Sequence, residues 1–385
     1  MSLLSSSIDR SMVVWEYDSQ ADLWLITNRS GEVGGHSVGC YGAVFGPGGD
    51  QFIGHAYNGS FYTWRISDGK LHPVCSPSGH SAAVVSLCWD PASRYLLSCS
   101  EDKTSRIFAA CAWSNSKDTP AVTHSGYHEI ARPQVHGYEM SDVCPIPSVP
   151  FRYASGAQEK VVRVFDAPQQ FLNDLHTLAR CDKIEDSAVC RSMSASVPEL
   201  GLSNKAVAAE KVFDRTCPPD ESALAQDTLW PELAKCYGHG YEIFTLASSH
   251  DGNVLASSCA SKQAEHSSVR LWSTKTWTTE QVLDLHNLTV VEMEFSPDDT
   301  YLLTVSRDRS IAVSIREDTL QYRKVWHLPK AHARIVWTCS WAPDSAFFAT
   351  GSRDKKVNSS HTWPTQSRHG LMFFLLPTGQ SLEER

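Results

Sequence analysis

The stretch GHSAAVVSLCWDPASRYLLSCSEDKTSRIF, residues 79–108, decides the fold. It opens on Gly79-His80. The apolar run VVSLCW ends at Asp90-Pro91, and proline cannot continue a hydrogen-bonded ladder. A second run, YLLSCS, reaches a tight turn at Glu101-Asp102-Lys103, and a third, SRIF, closes on Phe108. Short β-rich runs bounded by turn residues read as strands. An acid in the turn can accept hydrogen bonds from neighbouring amides and tolerate awkward dihedrals.

Outward from this stretch the same register returns. His80 to Phe108 is 28 residues; His36 to Trp64, His286 to Ser314 and His332 to Ser360 are also 28, His136 to Phe165 is 29 and His239 to Trp272 is 33. The turn residue (Asn58, Asp102, Glu159, Asp308, Asp354) lies six positions before the close in every repeat except the fourth. Asp9 and Trp15 keep the same offset ahead of the first opener, so the chain is read as beginning inside a repeat. The expected organisation is a partial blade at 1–34, three repeats at 35–165, a departing segment at 166–237, three more repeats at 238–360 with the last degenerate, and a divergent tail at 361–385. Without the departing 72 residues, 313 remain, which at roughly 40–45 per unit gives about seven blades. The expected fold class is therefore all-β, a propeller of about seven four-stranded blades with the first and last incomplete. Leu371–Leu376 is a candidate strand to patch an open edge.

The departing segment holds 12 acidic and 7 basic residues, a net of −5 out of a chain total of −9. It is expected to be a largely disordered acidic insertion between blades, with a first helix at Gln169–Leu178 and two less polar docking islands, Val197–Val207 and Thr228–Phe244.

Composition narrows the function classes. The chain has 385 residues, 42% of them hydrophobic and 20% charged, which fits a globular protein. No apolar run approaches the ~20 residues of a membrane helix. Asp9 and Arg10 interrupt what would be a signal segment, so secretion is not expected. A net charge of −9 excludes a globally basic nucleic-acid surface while leaving room for a local basic patch. The 12 cysteines form no C-x-x-C pair and mostly sit in strand-like runs, so they read as buried free thiols of a reducing compartment.

Signs of catalysis are sparse. Gly35-His36-Ser37-Val38-Gly39 spells an esterase nucleophile elbow, but strand-turn-strand follows it where a helix is needed, and His36 fills a repeat-opening slot. Phosphate-loop, dinucleotide and H-E-x-x-H motifs do not occur. His124 and His128 stand i,i+4 beside Glu129, but no third metal ligand is evident. No catalytic, cofactor or metal residues are assigned. The openers His36, His80, His136, His239, His286 and His332 read as structural, as do Asp9, Asp102, Asp308 and Asp354. The closers Trp15, Trp64 and Trp272, with Phe108 and Phe165, read as core.

In the WD-repeat family, which this pattern resembles, the opening His, a strand hydroxyl, the turn Asp and the closing Trp form one buried hydrogen-bonded set. Ser98, Ser155, Ser258, Ser306 and Ser352 are placed for the hydroxyl role. Several segments together further resemble the WD-repeat subunit of the Elongator complex: GEVGGHSVGCYGAVF (31–45), YHEIARPQVHGYE (127–139), SGAQEKVVRVFDAP (155–168), ELGLSNKAV (199–207) and TLWPELAKCYGHGYEIF (228–244). That resemblance implies a non-catalytic scaffold bridging a catalytic subunit and a large scaffold subunit, in support of tRNA wobble-uridine modification. It implies no cofactor on this chain and at most weak or indirect tRNA contact. It implies a cytoplasmic and partly nuclear setting, and a truncated form of a two-propeller protein, holding the end of the first propeller and five or six blades of the second. A generic WD adaptor, such as a ubiquitin-ligase substrate receptor, is the alternative.

The basic turns are the candidate partner contacts. Arg307 and Arg309 flank Asp308, Arg353, Lys355 and Lys356 flank Asp354, and Arg334 follows His332. Equivalent turns of neighbouring blades share a rim, so these charges should cluster and meet an acidic surface or RNA phosphate; a solvated turn is the plainer reading.

Overall fold

The computed structural model describes residues 2–9, 11–30, 39–56, 59, 61–74, 76, 79–114, 123–182, 190–196, 206–210, 212–363 and 372–376. Seven antiparallel sheets follow one another along the chain, and an eighth is a small hairpin, 194–196 with 207–209. The first sheet has three strands, Ser2–Ser6, Met12–Asp18 and Leu23–Ser30; the other six have four each, in chain order. They are numbered blades 1 to 7, so the six full repeats of the sequence are blades 2 to 7.

The first strands of the six full blades are Cys40–Phe45, Val84–Trp89, Met140–Pro145, Ile243–Ser248, Val290–Phe295 and Val336–Trp341. Each carries a bulge after its first residue, where the ladder to the second strand skips one position. A bulge leaves its extra side chain outside the ladder and re-aims it. From blade 3 onward, first strands of neighbouring blades pack on one another. Carboxylates on these strands clasp the next blade: Asp142 accepts from Leu246 N–H at 2.7 Å and Thr245 Oγ1 at 3.0 Å, Glu292 from Cys339 N–H at 2.7 Å, and Glu294 from Trp341 N–H at 2.9 Å.

The array does not run unbroken from blade 2 to blade 3. Blades 1 and 2 share a core of Met12, Val14, Cys40 and Phe52. Blades 3 to 7 hold separate, larger clusters. On blade 3, Val84, Leu87 and Trp89 are 45, 60 and 49% exposed. The residues in register with Val84 and Leu87 on blades 4 to 7 (Met140, Ile243, Val290, Val336; Val143, Leu246, Met293, Cys339) are all buried by the blade before them. Blade 3 therefore lacks a neighbour on that side. The seven blades divide into an arc of two and an arc of five, in keeping with the resemblance to a two-propeller protein rather than with one ring.

Two boundaries move. The acidic segment is not an inter-blade insertion: Val161–Asp166 is the third strand of blade 4 and Glu232–Tyr237 its fourth, so the excursion sits inside one blade. Nor is the described part of it disordered. Helix α1, Gln169–Ala179, buries Phe171, Leu172, Leu175 and Leu178 against Tyr95, Phe151 and Trp230. These positions repeat at helical spacing, and the low apolar content of the whole segment hid them. Its acids are paired: Asp174 meets Arg215, and Glu221 of helix α2, Glu221–Gln226, meets Arg132 at 2.7 Å. Of the two supposed docking islands, Val197–Val207 lies mostly outside the described residues. The other is consumed internally, since Trp230 is buried and its N–H donates to Pro133 O at 2.9 Å. At the other end, Val357–Trp363 and Met372–Leu376 complete blade 7 as third and fourth strands, so blade 7 is four-stranded and the tail boundary at 361 falls within it.

Candidate functional site

Blade 3 shows why the repeat residues recur. Asp102 caps its own turn, accepting from Thr104 N–H at 3.0 Å, and Lys103 takes φ 71°. His80 then donates from Nδ1 to Asp102 Oδ2 at 2.9 Å and accepts at Nε2 from Ser98 Oγ at 2.7 Å. Burial pushes the Asp102 carboxyl up, but hydrogen bonds from His80, Thr104 and Ser81 N–H outweigh it and hold the group well below the usual range. In blade 6 a serine relays the contact: His286 Nδ1 meets Ser310 Oγ at 2.6 Å, and Ser310 donates to Asp308. Blade 7 pairs His332 with Asp354 at 3.2 Å, and blade 4 pairs His136 with Glu159 at 2.9 Å. Blade 5 carries an inserted 3-10 turn, Ala264–His266, and its His239 meets Ser257, to which Trp272 Nε1 also donates, each at 2.7 Å. Burial, then Arg270, lowers His239 to about 3, so its ring is neutral.

Three of the hydroxyls assigned from sequence were displaced. The partners are Ser257, Thr304 and Thr350, each 18 residues after its His, rather than Ser258, Ser306 and Ser352. Ser306 and Ser352 bond backbone carbonyls of the preceding loop, and Ser155 donates to Gln134. Strand alternation explains the shift: one or two residues further on, the side chain leaves the position facing the ring. Asp9 accepts from Ser11, and Trp15 donates to Ser5 Oγ at 2.9 Å. Trp64 is half-buried, and its Nε1 has no partner among the described residues. His36, Ser37 and Asn58 lie outside the described residues, as does the side chain of His124; His128 sits edge-on to Trp113 at 4.8 Å.

With these residues fixed in the framework, the surface left for recognition is the rim where the turns converge. Glu101, Gln158, Ala260, Arg307 and Arg353 are register equivalents on blades 3 to 7, since each donates its N–H to the residue just before the first strand of its own blade. Just below them come the bulge residues, Val85, Ser141, Phe244, Val291 and Trp337. Together these line the mouth of a cavity of about 810 Å³ with Tyr138 and Glu242. The rim is polarised, with Glu101 and Glu242 on blades 3 and 5 and arginines on blades 6 and 7.

The sequence-derived contact residues fall as follows. Arg307 is exposed at the mouth, its guanidinium 5.0 Å from the Phe244 ring and 5.9 Å from Trp337, distances at which cation–π attraction acts. Arg353 is its equivalent on the next blade. Arg334 stands beside it, because Arg334 O and Ile335 O both receive the hydroxyl of Ser352. Arg309 and Lys355 occupy the left-handed turn position, at φ 73° and 65°. Lys355 and Lys356 are exposed, and Arg309 is half-buried. Among the described residues none of the six forms an ion pair. Sequence reading missed the aromatic floor; the signal available was an aromatic at the second position of a first strand, as in IFTLAS and VWTCSW.

A second constellation also escaped the sequence. Buried Arg106 reaches Asp102 at 3.3 Å and Glu129 at 2.9 Å, and Glu129 also binds Arg132 at 2.9 Å, which ends on Glu221. Arg132 N–H donates to Thr228 Oγ1 at 2.9 Å. The stretches HEIARPQ and TLWPEL are thus the two halves of one clamp that holds the excursion of blade 4 against blade 3.

Comparison with known proteins agrees with this framework. The family model for the WD domain, G-beta repeat, matches residues 71–108, 230–273, 277–313 and 323–358. The chain is similar to the Elongator complex protein 2 of Rattus norvegicus, 39% identical over 92% of this chain and 47% of that protein. It is similar to the Elongator complex protein 2 of Arabidopsis thaliana, 39% identical over 99% of this chain and 50% of that protein. It is also similar to that of Schizosaccharomyces pombe, 37% identical over 92% of this chain and 48% of that protein. The chain thus spans about half the length of the curated relatives it matches.

Proposed function

We propose that this WD-repeat chain, homologous to Elongator complex protein 2, serves as a non-catalytic scaffold subunit of an Elongator assembly. In that role it bridges the catalytic subunit and the large scaffold subunit and supports modification of wobble uridine in tRNA without touching the nucleotide chemistry itself. We place it in the cytoplasm with a nuclear pool, and we assign it at most indirect or weak contact with tRNA. The observation that carries the reading is similarity over 92% of the chain, through both arcs and the excursion, to proteins named for that complex. Rigid blades with variable rim loops suit the holding of several partners. The unpaired cations of blades 6 and 7 supply a surface for an acidic partner.

The test is affinity purification of the chain from its own cells, with mass spectrometry of what co-purifies. Recovery of an acetyltransferase-type catalytic subunit and a large solenoid-like scaffold supports the assignment. Recovery of a ubiquitin ligase or a signalling kinase in their place overturns it in favour of a generic adaptor.

A further inference from the structure

We propose that the outer strand of blade 1, Leu23–Ser30, is a pairing edge for a second copy of this chain. The strand is the last of its sheet, laddered to Met12–Asp18 on one side only. Its first four residues are apolar, and Leu23, Trp24, Leu25 and Ile26 are 59, 38, 47 and 55% exposed. Successive side chains in a strand face opposite ways. Leu23 and Leu25 therefore lie uncovered on one face, and Trp24 and Ile26 on the other. Outer strands elsewhere are guarded. Lys70, Lys235, Glu280 and the pair Arg323-Lys324 lie on those of blades 2, 4, 5 and 6, and that of blade 3 is covered by α1 and α2. Charges and covers of this kind are how sheet edges are kept from pairing, and blade 1 has neither.

The charge pattern selects the occupant and its direction. The run is uncharged, with Asp18 and Asp22 at its leading turn and exposed Arg29 at its far end. Antiparallel apposition of two copies lays the Arg29 end of each beside the Asp18–Asp22 turn of the other, whereas parallel apposition sets like ends together. The antiparallel arrangement is two-fold symmetric, so the pair consumes both edges and closes. It adds main-chain hydrogen bonds at the edge and covers apolar side chains on both faces.

The experiment is sedimentation velocity on the full chain from about 1 to about 100 µM, the range in which an interface of this modest size associates, with amide hydrogen exchange at both ends of the range. The expected result is a rise toward twice 42.6 kDa with concentration, accompanied by new protection at residues 23–27. The double variant Leu23→Lys, Leu25→Lys is expected to weaken association at least tenfold with an unchanged melting temperature, both residues being exposed. Arg29→Glu is expected to weaken it as well. A chain that stays monomeric at the highest concentration overturns the proposal. Self-association undiminished in the double variant also overturns it, and assigns pairing to another edge such as Met372–Leu376.

Discussion

Glu129→Gln is the most informative single perturbation of this fold. The Glu129 carboxylate sits between two guanidiniums: Arg106 donates to Oε2 at 2.9 Å, and Arg132 donates to Oε1 at 2.9 Å and to Oε2 at 3.3 Å. All three side chains are no more than 7% exposed. Glutamine keeps the volume but replaces one acceptor with an amide that points hydrogens at a guanidinium. Breaking one partner out of a buried ion pair costs about 3–5 kcal/mol. Arg106 retains Asp102 and Arg132 retains Glu221, which places this case near the lower end, about 3 kcal/mol. At about 2–4 °C per kcal/mol, the scale for a unit of a few hundred residues, the melting transition should fall by roughly 6–12 °C. Tryptophan fluorescence reports it directly, because Trp230 lies in the clamp that Arg132 anchors. Hydrogen exchange should show 221–230 loosening before the strands do. Glu317→Gln is the control: its pair with Arg323 is exposed, and the change should stay within about 0.5 kcal/mol. A Glu129→Gln protein that melts within a degree of wild type, with 221–230 equally protected, refutes the claim that the clamp is held by this ladder.

Asp102→Ala should cost about 1–3 kcal/mol, read as a lower urea midpoint, because His80 and the turn amides lose a buried acceptor. Glu159 gives a pH test. Burial raises its carboxyl, His136 and Arg163 outweigh that, and it is held at about 2 against an ordinary 4.5. A depressed carboxylate contributes stability above its unfolded pKa that is lost as pH falls toward the folded one. The urea midpoint should therefore decline between pH 4.5 and 2, and Glu159→Gln should flatten that slope. Trp272→Phe removes one buried donor to Ser257 and should cost about 1 kcal/mol beyond lost packing. Charge reversal at Arg307, Arg309 and Arg353 should reduce partner capture in pull-down at an unchanged melting temperature; full capture would set that rim aside.

Much of the architecture was legible because the repeat is a local device. His80, Asp102 and Ser98 lie within one blade, and the turn chemistry that positions Asp102 is written in adjacent residues, so spacing alone exposed it. The hydroxyl partners were misplaced in blades 5, 6 and 7 because a one- or two-residue choice among Ser257, Ser258, Thr304, Ser306, Thr350 and Ser352 depends on which side of the strand meets the ring. The excursion of blade 4 was read as disordered because its stabilising contacts come from elsewhere. Phe171 and Leu175 pack on Tyr95 and Phe151, and Glu221 is neutralised by Arg132 from the strand before. The arginines of blades 6 and 7 were legible as turn residues. Their setting on Phe244 and Trp337 was not, since that stack joins three blades.

By itself, the sequence determined the unit: strand lengths, turns, the His–Asp register and the count of seven sheets, all set by interactions within about 30 residues. Tertiary structure alone decided how the units are grouped. Whether Val84, Leu87 and Trp89 are covered depends on the stacking of whole blades rather than on any residue near them. The same holds for the clamp between HEIARPQ and TLWPEL, whose Arg132 and Thr228 stand 96 residues apart. Contacts of that range carry no periodic trace in the chain, because burial is a property of the assembled surface and not of the segment that supplies it.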